Sequence, residues 1–284
     1  MAKYGHRELQ VMATRIRKHI IEQTYSASSG HPGGSLSSAD ILTVLYFNYM
    51  RVDPAKPKKA DRDRFVLSKG HCTPLLYGTL AERGFFPVED LKGFRSIDSY
   101  LEGHPNMTYV PGVDMSTGSL GQGISAAGGM AIAGKLDRAS YHVYALLGDG
   151  ELEEGQVWEA MMSAAHYKLD NLTAFCDYNG LQIDGCIRDV MSPEPLEDKF
   201  RAFGWHVIAN DGHDMTQIAA AIDEALTVRG QPTMIVARTT KGKGVSFMEN
   251  QAGWHGSAPN KEQRDQAIAE LDAYLAGLED TNNG

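Results

Sequence analysis

A chain of 284 residues that is 42% apolar and 22% charged can bury a sizeable core, which argues against disordered and fibrous classes. Its net charge of −9 argues against a nucleic-acid partner, which would want a basic stripe. No apolar run is long enough to span a bilayer, and the opening MAKYGHRELQ lacks the apolar core of a secretory leader, so no membrane role is expected.

In chain order, Leu9, Met12, Ile16, Ile20 and Ile21 recur at helical spacing and predict a helix from about His6 to Tyr25. SASSGHPGGSLSSAD breaks it, and a second helix is expected from about Ser38 to Tyr49, with Asp40 in its first turn. RVDPAKPKKADRDR reads as a surface loop. RFVLS (64–68), YHVYALL (141–147), LTAFCDY (172–178), GWHVIAN (204–210) and PTMIVART (232–239) read as strands. GQVWEAMMSAAHYKL (155–169) and DMTQIAAAIDEALTVRG (214–230) read as the helices between them. The expected class is α/β, a mostly parallel sheet with helices on both faces. Without repeats or a low-complexity linker, residues 1–284 read as a single domain, with a polar, frayed tail after about Asp280. Cys72, Cys176 and Cys186 form no C-x-x-C pair, which suits reduced thiols in a cytoplasmic protein, two of them in or beside apolar segments and packed as small apolar groups.

LLGDGELEEG places Asp149 between two glycines just past a predicted strand, where open parallel sheets bind ligands. Asn179, in DYNG, holds the same place after the next strand. If those strands are neighbours, a carboxylate and an amide oxygen converge, a donor set that suits Mg²⁺ or Ca²⁺ with a phosphate-bearing ligand. A helix starting near Gly155 would aim its first N–H groups there. A lone G-D-G equally suits a turn or capping aspartate.

GDG followed some thirty residues later by asparagine resembles the thiamine-diphosphate-binding motif. SSGHPGGSLSSADIL, LSKGHCTPLLY, EGHP, STGSLGQGIS and QAGWHGSAP, in that order, resemble segments of transketolase. The resemblance runs to about Pro259, covers the diphosphate-binding half of that family, and implies the diphosphate-domain fold. It implies Mg²⁺ ligands at Asp149, Asn179 and the Leu181 carbonyl, with Ca²⁺ or Mn²⁺ able to substitute. It implies thiamine diphosphate against Gly150, His71, His255, Asn179, Gly118, Ser119 and Leu120, with the Gly118 carbonyl accepting from the cofactor's exocyclic amine. His31, His104 and His255 would face the sugar channel and act in catalysis. Glu154 would join a carboxylate relay between paired active sites. His6, His19, His142, His166, His206 and His213 read as packing or surface residues. TGSLGQG alone could be a flexible turn or a helix start, and TTKGKG (239–244) a phosphate cradle or a surface loop.

Two departures stand out. The family commonly has proline where Ser119 stands, and QAGWHG differs from full-length enzymes, so Trp254 is expected to reshape the channel. The family's essential glutamate lies in a pyrimidine-binding domain that nothing here resembles. The resemblance therefore implies one chain of a split transketolase of the pentose phosphate pathway, completed by a C-terminal subunit carrying that domain, two pairs per assembly. Such an enzyme transfers a two-carbon ketol unit from a ketose phosphate to an aldose phosphate. Alternatives are another thiamine-dependent transferase, similar to deoxyxylulose phosphate synthase or acting on an unusual sugar, and a cofactor-binding subunit without catalysis.

Overall fold

The computed structural model describes residues 4–280, so the expected frayed tail lies outside the described residues. Helix α1, His6–Ser26, buries Leu9, Ala13, Ile16 and Ile20 along one stripe. The expected break after it holds a short helix, α2, Pro32–Ser37. Proline opens it, where its missing N–H costs nothing. Its glycines permit close approach: a Cβ on Gly33 would lie 2.8 Å from the Trp254 carbonyl oxygen. The single helix expected over 38–49 is α3, Ala39–Val44, continued by a π turn over Leu45–Tyr49.

Strand β1 is Arg64–Leu67, followed by α4, Thr73–Glu82, and α5, Gln122–Leu136. Then come β2, Val143–Gly148; α6, Gly155–His166; and β3, Leu172–Tyr178. A small antiparallel pair, β4 at Leu181–Gln182 and β5 at Gly185–Cys186, leads into α7, Ile187–Val190, and α8, Leu196–Ala202. The chain continues through β6, His206–Asp211; α9, Met215–Ala225; β7, Thr233–Arg238; and α10, Lys261–Asp280.

The main sheet runs β1-β2-β3-β7-β6, parallel throughout. Alternate residues serve two apolar layers. Leu67, Leu146, Phe175 and Ile235 pack beneath residues of α1, α3, α4 and α9. Val66, Leu147, Ala174 and Val236 pack against α5, α6 and Phe200 of α8. Burial on both faces is why these strands read as nearly unbroken apolar runs. Cys72 and Cys176 are buried, and all three cysteines are free. The register pairs Gly148 with Asp177, so β2 and β3 are neighbours and their following turns share one rim of the sheet.

Candidate cofactor and metal site

The carboxyl ends of β1, β2, β3 and β7 deliver their following residues to a cavity of about 110 Å³. His71, Leu120, Asp149, Gly150, Asn179, Leu181, Lys241 and His255 are among its lining residues. Asp149 is only 2% exposed. Its carboxylate accepts from Gly150 N at 2.9 Å and from Gly180 N at 2.6 Å, one bond on each oxygen. Burial, and then the neighbouring Asp177 charge, push its pKa up to about 7. Asn179 Oδ1 accepts from Leu181 N at 3.1 Å, while its Nδ2 donates to Asp177 at 3.2 Å. The amide is thereby turned so that oxygen stands on the Leu181 side.

The expectation for α6 needs correction. A 3₁₀ turn over Gly150–Glu153, capped by Asp149 itself, separates α6 from the strand. The N–H groups nearest the cavity therefore belong to that turn, and the first residues of α6 do not line it.

Three buried residues complete the rim, and motif reading missed all of them. Asp177, fully buried, accepts from Ser37 Oγ at 2.6 Å, Lys69 Nζ at 2.6 Å, and also from Thr239 Oγ1. Burial works against its charge, but the Lys69 ammonium holds its pKa below the usual carboxylate range. Lys69 places its other protons on the Gly34 carbonyl and Ser38 Oγ, both at 2.8 Å. Lys241, 2% exposed, donates to the Leu181 carbonyl at 3.1 Å and lies 3.0 Å from His255 Nδ1. The TTKGKG segment is thus no plain surface loop at Lys241. A lysine beside a glycine gives no sequence signal of burial; the signal was that each follows a strand of the sheet.

His31, His71 and His255 form a cluster, with ring centroids 5.1 to 5.4 Å apart. Burial, then Lys241, hold His255 at about 3; burial, then Arg95, His104 and Lys241, hold His31 at about 4. His71 is pushed well below the ordinary imidazole range by burial and then Lys69. All three rings are neutral near pH 7, able to accept or donate one hydrogen bond at each nitrogen. The Lys241 ammonium donates to His255 Nδ1, which leaves the proton on Nε2. His31 Nδ1 is buried with no partner among the described residues.

His104 packs on Gly118: a Cβ there would lie 2.7 Å from His104 Cδ2, and the Gly118 φ of 144° already excludes most side chains. Leu120 lines the cavity, whereas Ser119 is exposed just before the turn into α5. Glu154 is exposed at the N-cap of α6, outside the cavity lining. The Trp254 indole donates to the Phe247 carbonyl at 3.0 Å and packs on the Phe247 ring, and Trp254 is not among the residues lining this cavity. Of the histidines read as packing residues, His19, His142, His206 and His213 bond Glu82, Thr173, Glu224 and Asp40 respectively.

The family model described as transketolase, thiamine diphosphate binding domain, matches residues 9–273. The chain belongs to the transketolase family. A relative from Phocaeicola vulgatus, named as one subunit of an apulose-4-phosphate transketolase, is 45% identical over 97% of this chain and 98% of its own. The 6-deoxy-6-sulfo-D-fructose transketolase subunit SqwG of a Clostridium species is 47% identical over 93% and 96%. Human transketolase is 46% identical over 93% of this chain but only 42% of its own length. A solved transketolase variant from Pichia stipitis superposes with a TM-score of 0.87 at 38% identity, covering 94% of this chain and 41% of that one. The chain is thus an N-terminal transketolase subunit in family and fold, spanning less than half the length of the full-length transketolases it matches.

The residues fit the family's cofactor. Asp149 is almost wholly buried, burial and the Asp177 charge push its pKa up to about 7, and each of its oxygens keeps a lone pair beyond its one backbone bond. With the Asn179 and Leu181 oxygens it gives an all-oxygen donor set of the kind hard divalent cations take. Lys241 and the neutral histidines offer donors to phosphate oxygens.

Proposed function

We propose that this chain is the thiamine-diphosphate-binding subunit of a two-chain transketolase, moving a two-carbon ketol unit from a ketose phosphate to an aldose phosphate. The observation that carries it is that Asp149, Asn179 and Leu181 line one cavity together with the neutral rings of His71 and His255. In this reading those three groups hold Mg²⁺, while Gly150, Asn179, His71 and His255 meet the diphosphate. Gly118, Ser119 and Leu120 run beside the rings, the Gly118 carbonyl accepting from the exocyclic amine. When bound, thiamine diphosphate supplies the carbon nucleophile and electron sink for cleaving the bond beside the ketose carbonyl.

The chain's own work is binding and proton handling. His255, with its proton on Nε2, donates toward substrate or phosphate oxygen. His31 and His104 hold donor hydroxyls, and His31, kept neutral, can take a hydroxyl proton. Glu154, exposed beside α6, faces the subunit interface in a relay between sites. Residues 1–284 act as one diphosphate-binding domain in the cytoplasm. A C-terminal subunit brings the pyrimidine-binding domain, two pairs per assembly; the subunit naming of the two relatives matched over nearly their whole length supports the need for a partner chain. Those same names, apulose 4-phosphate and a sulfofructose, favour a second reading in which the donor is an unusual sugar with an anionic tail.

The test is co-expression with the C-terminal chain and a panel of ketose and aldose phosphates, apulose 4-phosphate and the sulfonated sugar included, with thiamine diphosphate and Mg²⁺. Ketol transfer is expected from the complete assembly alone. Turnover by the isolated chain contradicts the partner requirement, and an inactive assembly contradicts the assigned reaction.

A further inference from the structure

Arg95 carries signs of a function that its place in a loop does not explain. Its backbone sits at φ 61°, the left-handed region that costs a non-glycine residue free energy. Its guanidinium donates to Ser29 Oγ at 2.9 Å and reaches the Gly103 carbonyl at 3.5 Å; its Nε is buried without a partner among the described residues. Ser29 lies two residues before His31, and Gly103 immediately precedes His104. The guanidinium is packed flat on Gly103, where a Cβ would come within 2.8 Å of Arg95 Cζ. The His104 loop is further pinned by Thr73 Oγ1 on the Gly103 carbonyl at 2.9 Å and by Tyr77 OH on the His104 carbonyl at 3.1 Å. Those two bonds fix that loop to α4; among the described residues, Arg95 is the side chain that bonds both it and the loop carrying His31.

We propose that Arg95 is a positioning residue, clamping the loop of His31 to the loop of His104 and so setting the distance between the two imidazoles that meet the sugar. The inference deepens the proposed function, resting on it for the roles of the two histidines. Charge supports it. The groups facing His31 are Arg95, His104 and Lys241, with the His71 and His255 rings packed beside it. After burial, Arg95 is the largest influence keeping His31 neutral. A lysine at 95 keeps that charge but has no planar fork to span both loops, so geometry and charge separate experimentally.

Arg95→Gln and Arg95→Lys are compared with wild type in the complete assembly, loaded with thiamine diphosphate and Mg²⁺. Both variants are expected to lose kcat on the order of 100-fold, as small misplacements of reacting groups do, with cofactor affinity and thermal midpoint unchanged. Wild-type kcat in both overturns the proposal, and so does a parallel loss of cofactor affinity or thermal midpoint. In the full chain alone, NMR titration of His31 provides a readout independent of turnover. Its midpoint near pH 4 should rise in Arg95→Gln and stay in Arg95→Lys, while His142, held at about 4 by burial elsewhere, does not move. An unmoved His31 in Arg95→Gln overturns the proposal even if the wild-type assembly proves inactive, an outcome that by itself would count against the reaction rather than the clamp.

Discussion

The Lys241 ammonium donates to the carbonyl of Leu181 across 3.1 Å, a carbonyl that also edges the rim holding Asp149 and Asn179. A side-chain cation thus lies on the oxygen assigned to the metal, and its charge is shared with His255 Nδ1. With a metal held by that carbonyl, Lys241 would have a phosphate oxygen of the cofactor as its alternative acceptor. Lys241→Met is therefore expected to weaken cofactor uptake by the assembly about 10- to 100-fold, the worth of one charge-assisted hydrogen bond. Calorimetric titration at fixed Mg²⁺ checks it, and an unchanged affinity removes Lys241 from the site.

The Lys69–Asp177 pair is fully buried, and each partner satisfies the other. Removing one leaves an uncompensated charge, so Lys69→Met should cost about 3–5 kcal/mol in urea unfolding. Adding Asp177→Asn removes the stranded charge and should recover most of that loss. A double variant as unstable as the sum of its singles contradicts this account.

His142 is held at about 4 by burial, with Asp63 and Arg51 as opposing neighbours. Its folded pKa lies below the unfolded value near 6.5, so between those values the unfolded chain binds more protons. Stability then rises with pH through that window, and on acidification it falls from about pH 6.5 to pH 4, by about 3 kcal/mol in full. His142→Asn should flatten that part of the curve of unfolding free energy against pH; an unchanged slope assigns the acid sensitivity elsewhere.

Gly118→Ala meets two obstacles, the φ of 144° and the 2.7 Å approach to His104 Cδ2. The assembly should lose roughly 1–3 kcal/mol of stability and at least about tenfold in kcat as His104 is displaced. Gly118→Ala combined with His104→Ala should regain the steric part of the stability loss, leaving the backbone strain. No recovery in unfolding experiments means that the two residues do not press on each other.

The sheet was legible because strands buried on both faces leave compact apolar runs, and Asp149 and Asn179 because short polar residues end two of them. Neighbouring β2 and β3 then turned a sequence spacing into a spatial pair. What stayed hidden has physical reasons. Helix α5 is so rich in glycine and alanine that it shows no apolar stripe, and α10 buries little besides Ala267 and Leu271. The glycines of α2 resemble breakers, although they serve contact with Trp254 and Cys72. Lys69, Lys241 and Asp177 carry charges whose burial only the assembled rim explains. The first N–H groups of α6 do not reach the cavity because a 3₁₀ turn intervenes.

In the proposed function Asp149 anchors a divalent ion and, through it, the diphosphate. Calorimetric titration of thiamine diphosphate into the assembled wild-type and Asp149→Ala proteins, with Mg²⁺ and with chelator, addresses it directly. Uptake by wild type should be abolished by chelator and weakened on the order of 100-fold by Asp149→Ala, since the proposed ligand set loses its only carboxylate. Equal, Mg²⁺-dependent uptake by both proteins would contradict it.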